Sequence, residues 1–165
     1  MLDKKASLRE KLKKIRADID NRDWRNEAIT LRLFSFLNRQ FPKDKNLNSI
    51  FCYQSINSEV NTTEFIKRAQ KMGIKILVPE VDKNYNMVAI CLKTGLRFYD
   101  EPTVTVVPML GFSDEFHRIG YGKACYDKFF AKHPNTLKIG LAYAEQKCQF
   151  DHEPHDISLD CIITG

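Results

Sequence analysis

Arg118, Gly120, Gly122 and Lys123 fall within six consecutive positions, between a short apolar run and a stretch with helical spacing. Val104 to Val107 is β-branched throughout and halted by Pro108, the pattern of a short buried strand. Cys125 to Lys132 carries Phe129 and Phe130 and reads as a helix. The first amides of a helix lack intrahelical partners and sit at the positive end of its dipole, so a loop placed there attracts anions. Two glycines permit positive φ and close backbone approach, while Arg118 and Lys123 add full charges. Phosphate is the ligand that suits this combination. The loop matches neither common nucleotide signature. A Walker A loop needs glycine where His117 stands and Ser or Thr where Ala124 stands. A dinucleotide G-x-G-x-x-G would place its third glycine at Cys125.

A second group of cations lies near the start. Leu8, Leu12, Ile15 and Ile19 are spaced i, i+4, i+7 and i+11, one apolar face of a helix. Lys5, Arg9 and Arg16 share another face, because steps of four and seven residues nearly restore azimuth. Such a helix can aim three cations one way. The same pattern is what a solvated face would show.

The string P-x-L-G-F from Pro108, followed by R-I-G-Y-G-K-x-x-Y-D from Arg118, closely resembles the signature of the 5-formyltetrahydrofolate cyclo-ligase family, also called methenyltetrahydrofolate synthetases. The K-x-x-L-R spacing from Lys5, with Arg16 seven residues after Arg9, resembles the family's N-terminal motif. Y-x-x-x-x-S-E-V-x-T from Tyr53 resembles its folate-side segment, and Tyr143-Ala144-Glu145-Gln146 and EPHDISLDCIITG continue the order. The resemblance covers essentially all 165 residues. It departs at Ala124-Cys125, where the family usually has Gly-Tyr.

The resemblance implies an enzyme that uses MgATP to convert 5-formyltetrahydrofolate to 5,10-methenyltetrahydrofolate, releasing ADP and phosphate. It implies catalytic roles for Arg118 and Lys123 at the transferring phosphate. Nucleotide contacts would come from Lys5, Arg9 and Arg16 and from the loop Arg118, Gly120, Tyr121, Gly122, Lys123, Ala124, Cys125 and Tyr126. Folate would meet Tyr53, Glu59 and Tyr126, with Gln54 a weaker candidate. Asp127 and Asp156 would hold Mg²⁺, the ion expected with ATP. Asp160 would serve structure. His152 and His155, three apart beside Pro154, read as an exposed loop and not as a metal pair. Ala124 directly precedes the helix and alanine is a good helix former, so negative φ is expected there, with positive φ as the alternative.

Composition bounds the class. A chain of 165 residues, 43% hydrophobic and without a Pro/Gly/Ser linker, suits one domain. Five cysteines lie 13 to 39 residues apart without a C-x-x-C pair, as expected for reduced thiols in a cytoplasmic protein. No apolar run approaches the roughly 18 residues that span a bilayer. The net charge of +5 gathers near the start, but aromatics do not alternate with it as on a base-stacking surface. Neither membrane nor nucleic acid is an expected partner, and a monomer acting on small molecules is.

The remaining elements alternate. A helix is expected over 24–39 with Ile29, Leu33, Phe36 and Leu37 inward and Trp24 packed near its start. After the turn-rich 41–48 come a strand 49–53, a helix 61–72 capped by Asn61 or Thr62 and closed by Gly73, and a strand 74–78 stopped by Pro79. This is a βαβ unit. A hairpin over 87–92 and 96–99, a strand 137–143 and a last strand after Asp160 complete the order. The expected fold is a single three-layer α/β domain, a mixed, mostly parallel sheet with helices on both faces.

Overall fold

The alternation of β-branched runs with amphipathic helices produces a seven-stranded mixed sheet. A computed structural model describes residues 3–43 and 46–165, so positions 44–45 of the turn-rich stretch lie outside the described residues. Helices α1 (Lys4–Ala17) and α2 (Arg22–Gln40) precede β1 (Ser49–Cys52), α3 (Thr63–Lys71), β2 (Lys75–Val81), β3 (Met87–Cys91) and β4 (Arg97–Phe98). Then follow β5 (Val104–Val107), the two-residue strands β6 (Gly111–Phe112) and β7 (Arg118–Ile119), α4 (Cys125–Lys132), β8 (Leu137–Ala142) and β9 (Cys161–Thr164). The order across the sheet is β4-β3-β2-β1-β5-β8-β9. Pairing is parallel from β2 through β9 and antiparallel for β2–β3 and β3–β4.

Period-two alternation gives each central strand two buried faces. Ile50 and Cys52 of β1 join Leu33, Leu37, Phe65 and Val106 in one core, which packs α2 and α3 against the sheet. Phe51 points the other way, onto Phe129 of α4 with ring centroids 4.5 Å apart. A third, smaller core holds Leu12 of α1 against Leu110 and Ile119. Gly111 belongs to this junction. A Cβ there would lie 2.7 Å from Leu12 Cδ1 and 2.8 Å from Cys148 Sγ, so glycine lets α1 seat beside the β6–β7 hairpin. Gln146 fastens the same corner, donating to the carbonyls of Met109 and Leu110.

Several expectations need correction. Strand β2 does not stop at Pro79 but runs on to Val81, pairing with β3. Past Leu77 its β1 neighbour has ended, and proline's missing donor is tolerated on a strand with one free side. Trp24 does not pack; it is 74% exposed on the outer side of α2. The stretch before the glycines is not a plain loop but the small hairpin β6–β7. Thr62 is the N-cap of α3 by position, yet its hydroxyl donates to the Tyr53 carbonyl and makes no cap bond. Gly73 does close α3, at φ 81. Asp160 ties β9 to β8, its carboxylate accepting from the Lys138 amide. All five cysteines are unpaired. No helix among the described residues is long and apolar enough to cross a membrane.

Candidate active site

The carboxyl ends of β1 and β5 open into a cleft of about 720 Å³, where open α/β sheets place their ligands. Its walls come from the start of α1, the loop after β1, the β2–β3 hairpin, Pro108 after β5, the segment 118–127 with the glycine loop, and the tail 150–156. Of the residues expected from sequence, all but Arg16 line it.

The glycine loop is held by α1. Arg9 donates through Nε to the Gly120 carbonyl at 3.0 Å, and its guanidinium lies flat against Gly122. A Cβ at position 122 would stand 3.1 Å from Arg9 Cζ, and φ there is +91, so glycine is favoured by both the close approach and the backbone. Ala124 follows at φ 53, in the left-handed region, as the residue capping α4. This overturns the expectation of helical φ. The reversal from β7 into α4 needs a left-handed residue, and tertiary geometry overrides alanine's helical preference. Replacing Ala124 with glycine removes that strain. We expect a gain of about 0.5 to 1 kcal/mol and a melting temperature higher by about 1 to 4 °C, read by calorimetry.

The cations differ in their partners. Lys5 Nζ lies 3.1 Å from Glu153 and 3.7 Å from Asp156. Arg118 is nearly buried: it pairs with Asp127 at 3.2 Å, donates to the Ile157 carbonyl and sits over the rings of Tyr126 and Phe130. Asp127 also accepts from the Ile157 amide, so these two residues brace the tail against α4. Lys123 is exposed, and its ammonium stands 4.8 Å from the ring centre of Tyr85 on the β2–β3 turn. Tyr85 was not expected from sequence. It holds a left-handed φ of 60, a strained place for an aromatic residue, and nothing in the local pattern DKNYN marks it as facing the glycine loop.

Arg16 turns away from the cleft. It is 3% exposed, and its guanidinium donates to Ser58 Oγ, the Met109 carbonyl and the Tyr121 hydroxyl. With its nitrogens so occupied, it cannot reach a ligand as the shared helix face suggested. Its effect passes through Tyr121, whose hydroxyl in turn donates to Glu59 Oε1 at 2.9 Å. Burial holds that phenol above its usual pKa, keeping it a donor. Glu59 is 6% exposed and also accepts from the Ile56 amide. A buried acid is thus fixed in the cleft wall by a chain running Arg16, Tyr121, Glu59.

Tyr53 lines the cleft with its ring, while its hydroxyl donates to the Val60 carbonyl at 2.7 Å and shapes the 54–60 loop. Burial raises the pKa of Tyr53 and of the half-buried Tyr126, so both stay neutral. Cys125 is likewise pushed up by burial, which argues against a reactive thiolate. For Asp156 burial pulls upward, but the Glu153 amide, Lys5, His155 and Arg118 outweigh it and hold the carboxyl below its usual value. Asp127, Glu153 and Asp156 all line the cleft with carboxyl oxygens, a donor type that suits Mg²⁺.

Comparison with known proteins finds the same architecture. The chain is 31% identical over 166 residues to a 5-formyltetrahydrofolate cyclo-ligase of Mycoplasma genitalium, covering 96% of each chain. It is 29% identical over 140 residues to a protein of the same name from Mycoplasma pneumoniae, covering 84% of this chain and 83% of that one. Among solved structures, a 5,10-methenyltetrahydrofolate synthetase from Mycoplasma pneumoniae superposes with a TM-score of 0.85 at 27% identity, covering 98% of each chain. The synthetase of Aquifex aeolicus shares the fold, with a TM-score of 0.72 at 24% identity, over 97% of this chain and 89% of that one. No family model matches the chain.

Proposed function

Because the chain belongs to the 5-formyltetrahydrofolate cyclo-ligase family, we propose that its cleft joins ATP to 5-formyltetrahydrofolate and closes the folate ring to 5,10-methenyltetrahydrofolate. The observation that carries this reading is the division of one cleft. A buried, hydrogen-bonded acid, Glu59, stands in one wall, and a glycine loop flanked by Lys5, Arg9 and Lys123 forms another.

A formamide oxygen is a poor leaving group. Its attack on the γ-phosphorus expels ADP and leaves a phosphorylated imidate on N5. N10 then adds to the formyl carbon, loses its proton, and phosphate departs with the oxygen, giving the methenyl bridge. Little covalent work falls to the protein, so positioning and charge neutralisation dominate. Lys123 would meet the transferring phosphoryl group, with Gly120 and Gly122 letting backbone amides approach it. Lys5 and Arg9 would hold the remaining phosphates. Arg118, tied to Asp127, would act from the floor of the site, and Tyr126 and Tyr53 would wall the folate. Asp127 and Asp156 would hold Mg²⁺, which neutralises phosphate charge when bound.

Release of ADP should therefore depend on 5-formyltetrahydrofolate, one ADP for each folate consumed. Rapid ADP release that folate does not alter would assign the cleft to another phosphoryl transfer.

A further inference from the structure

Outside the cleft, two histidines far apart in sequence meet. His117, at the end of the β6–β7 turn, and His152, in the tail, stack with ring centroids 3.8 Å apart and planes within 10°. Glu115 joins them: one ligand atom from each of the three lies within 4.8 Å of the others. His117 Nδ1 is buried and has no hydrogen-bond partner, and an orphaned buried nitrogen costs about 1 to 3 kcal/mol unless something satisfies it. A proton-free imidazole nitrogen meets that need by binding a metal.

We propose that Glu115, His117 and His152 form a site for a divalent transition metal, with zinc the best match to two imidazoles, one carboxylate and an open fourth position. Zinc bonds of about 2.0 to 2.1 Å would draw the ligand atoms closer and require the stacked rings to turn edge-on to the ion, a movement that falls to the exposed His152. None of the three lines the cleft, but the tail that carries His152 also supplies Phe150, Glu153 and Asp156 to it. The metal would staple this wall to the β6–β7 hairpin.

The test uses protein stripped with a chelator and titrated with Co²⁺ and Zn²⁺, without ATP or folate. Wild type should take up one Co²⁺ with the visible absorption of a tetrahedral site, and Zn²⁺ should raise the melting temperature. His152→Gln, at an exposed position, and His117→Gln should each weaken binding about tenfold or more. His155→Gln, in the separate Glu153, His155, Asp156 group of the cleft, should leave it intact. No cobalt spectrum in wild type would overturn the site, and so would binding unchanged in His152→Gln.

Discussion

Lys123→Ala lowers kcat by about 10² to 10³, the usual loss when a charge contact made in the transition state is removed. The lysine follows Gly122 and precedes the left-handed Ala124, so its backbone is fixed at the loop's tip. Among the described residues its side chain pairs with no carboxylate and rests against Tyr85 instead, whereas Lys5 lies beside Glu153 and Asp156. An ammonium without an acidic partner is open to an arriving phosphate. The melting temperature should fall by no more than about 1 to 4 °C, because an exposed cation–π contact is worth only about 0.5 to 1 kcal/mol. A kcat within about twofold of wild type would remove Lys123 from the reaction.

Glu59→Gln raises the KM for 5-formyltetrahydrofolate and lowers kcat/KM for it by about 10- to 100-fold, while the KM for ATP stays within about twofold. The acid accepts from both Tyr121 and the Ile56 amide. Glutamine can replace one acceptor only, and its NH₂ must turn toward a group that is already a donor. If Tyr121 accepts from that NH₂ as it does from Arg16, its own O–H loses the Glu59 acceptor. Hydrogen bonds to a charged group contribute about 1.5 to 3 kcal/mol, which sets the expected range. Equal effects on both substrates would contradict the division of the cleft.

What could be read from the sequence was local. Val104–Val107 before Pro108, the paired glycines and the helical spacing of Leu8, Leu12 and Ile15 each carry their structure in a short window, and these elements deliver the loop and its cations to one place. Residues that depend on distant partners were not legible. Arg16 has the azimuth of Lys5 and Arg9, yet the loop at Ser58 and the turn at Met109 draw it inward. Ala124 has a helical propensity that the reversal out of β7 overrides. Pro79 stays in a strand because β1 ends beside it, which only the sheet order reveals. The pair that meets is His117 with His152, separated by β7, α4 and β8, and not the neighbouring His152 and His155.

The central claim is that one cleft spends ATP on closing the folate ring. The most direct measurement is the ultraviolet absorbance of methenyltetrahydrofolate, followed from 5-formyltetrahydrofolate with MgATP, without it, and with an ATP analogue whose γ-phosphate cannot be transferred. The absorbance should rise with MgATP alone, in step with ADP release, and the rise should collapse in Lys123→Ala. A rise that proceeds equally without ATP, or none under any condition, would contradict the account.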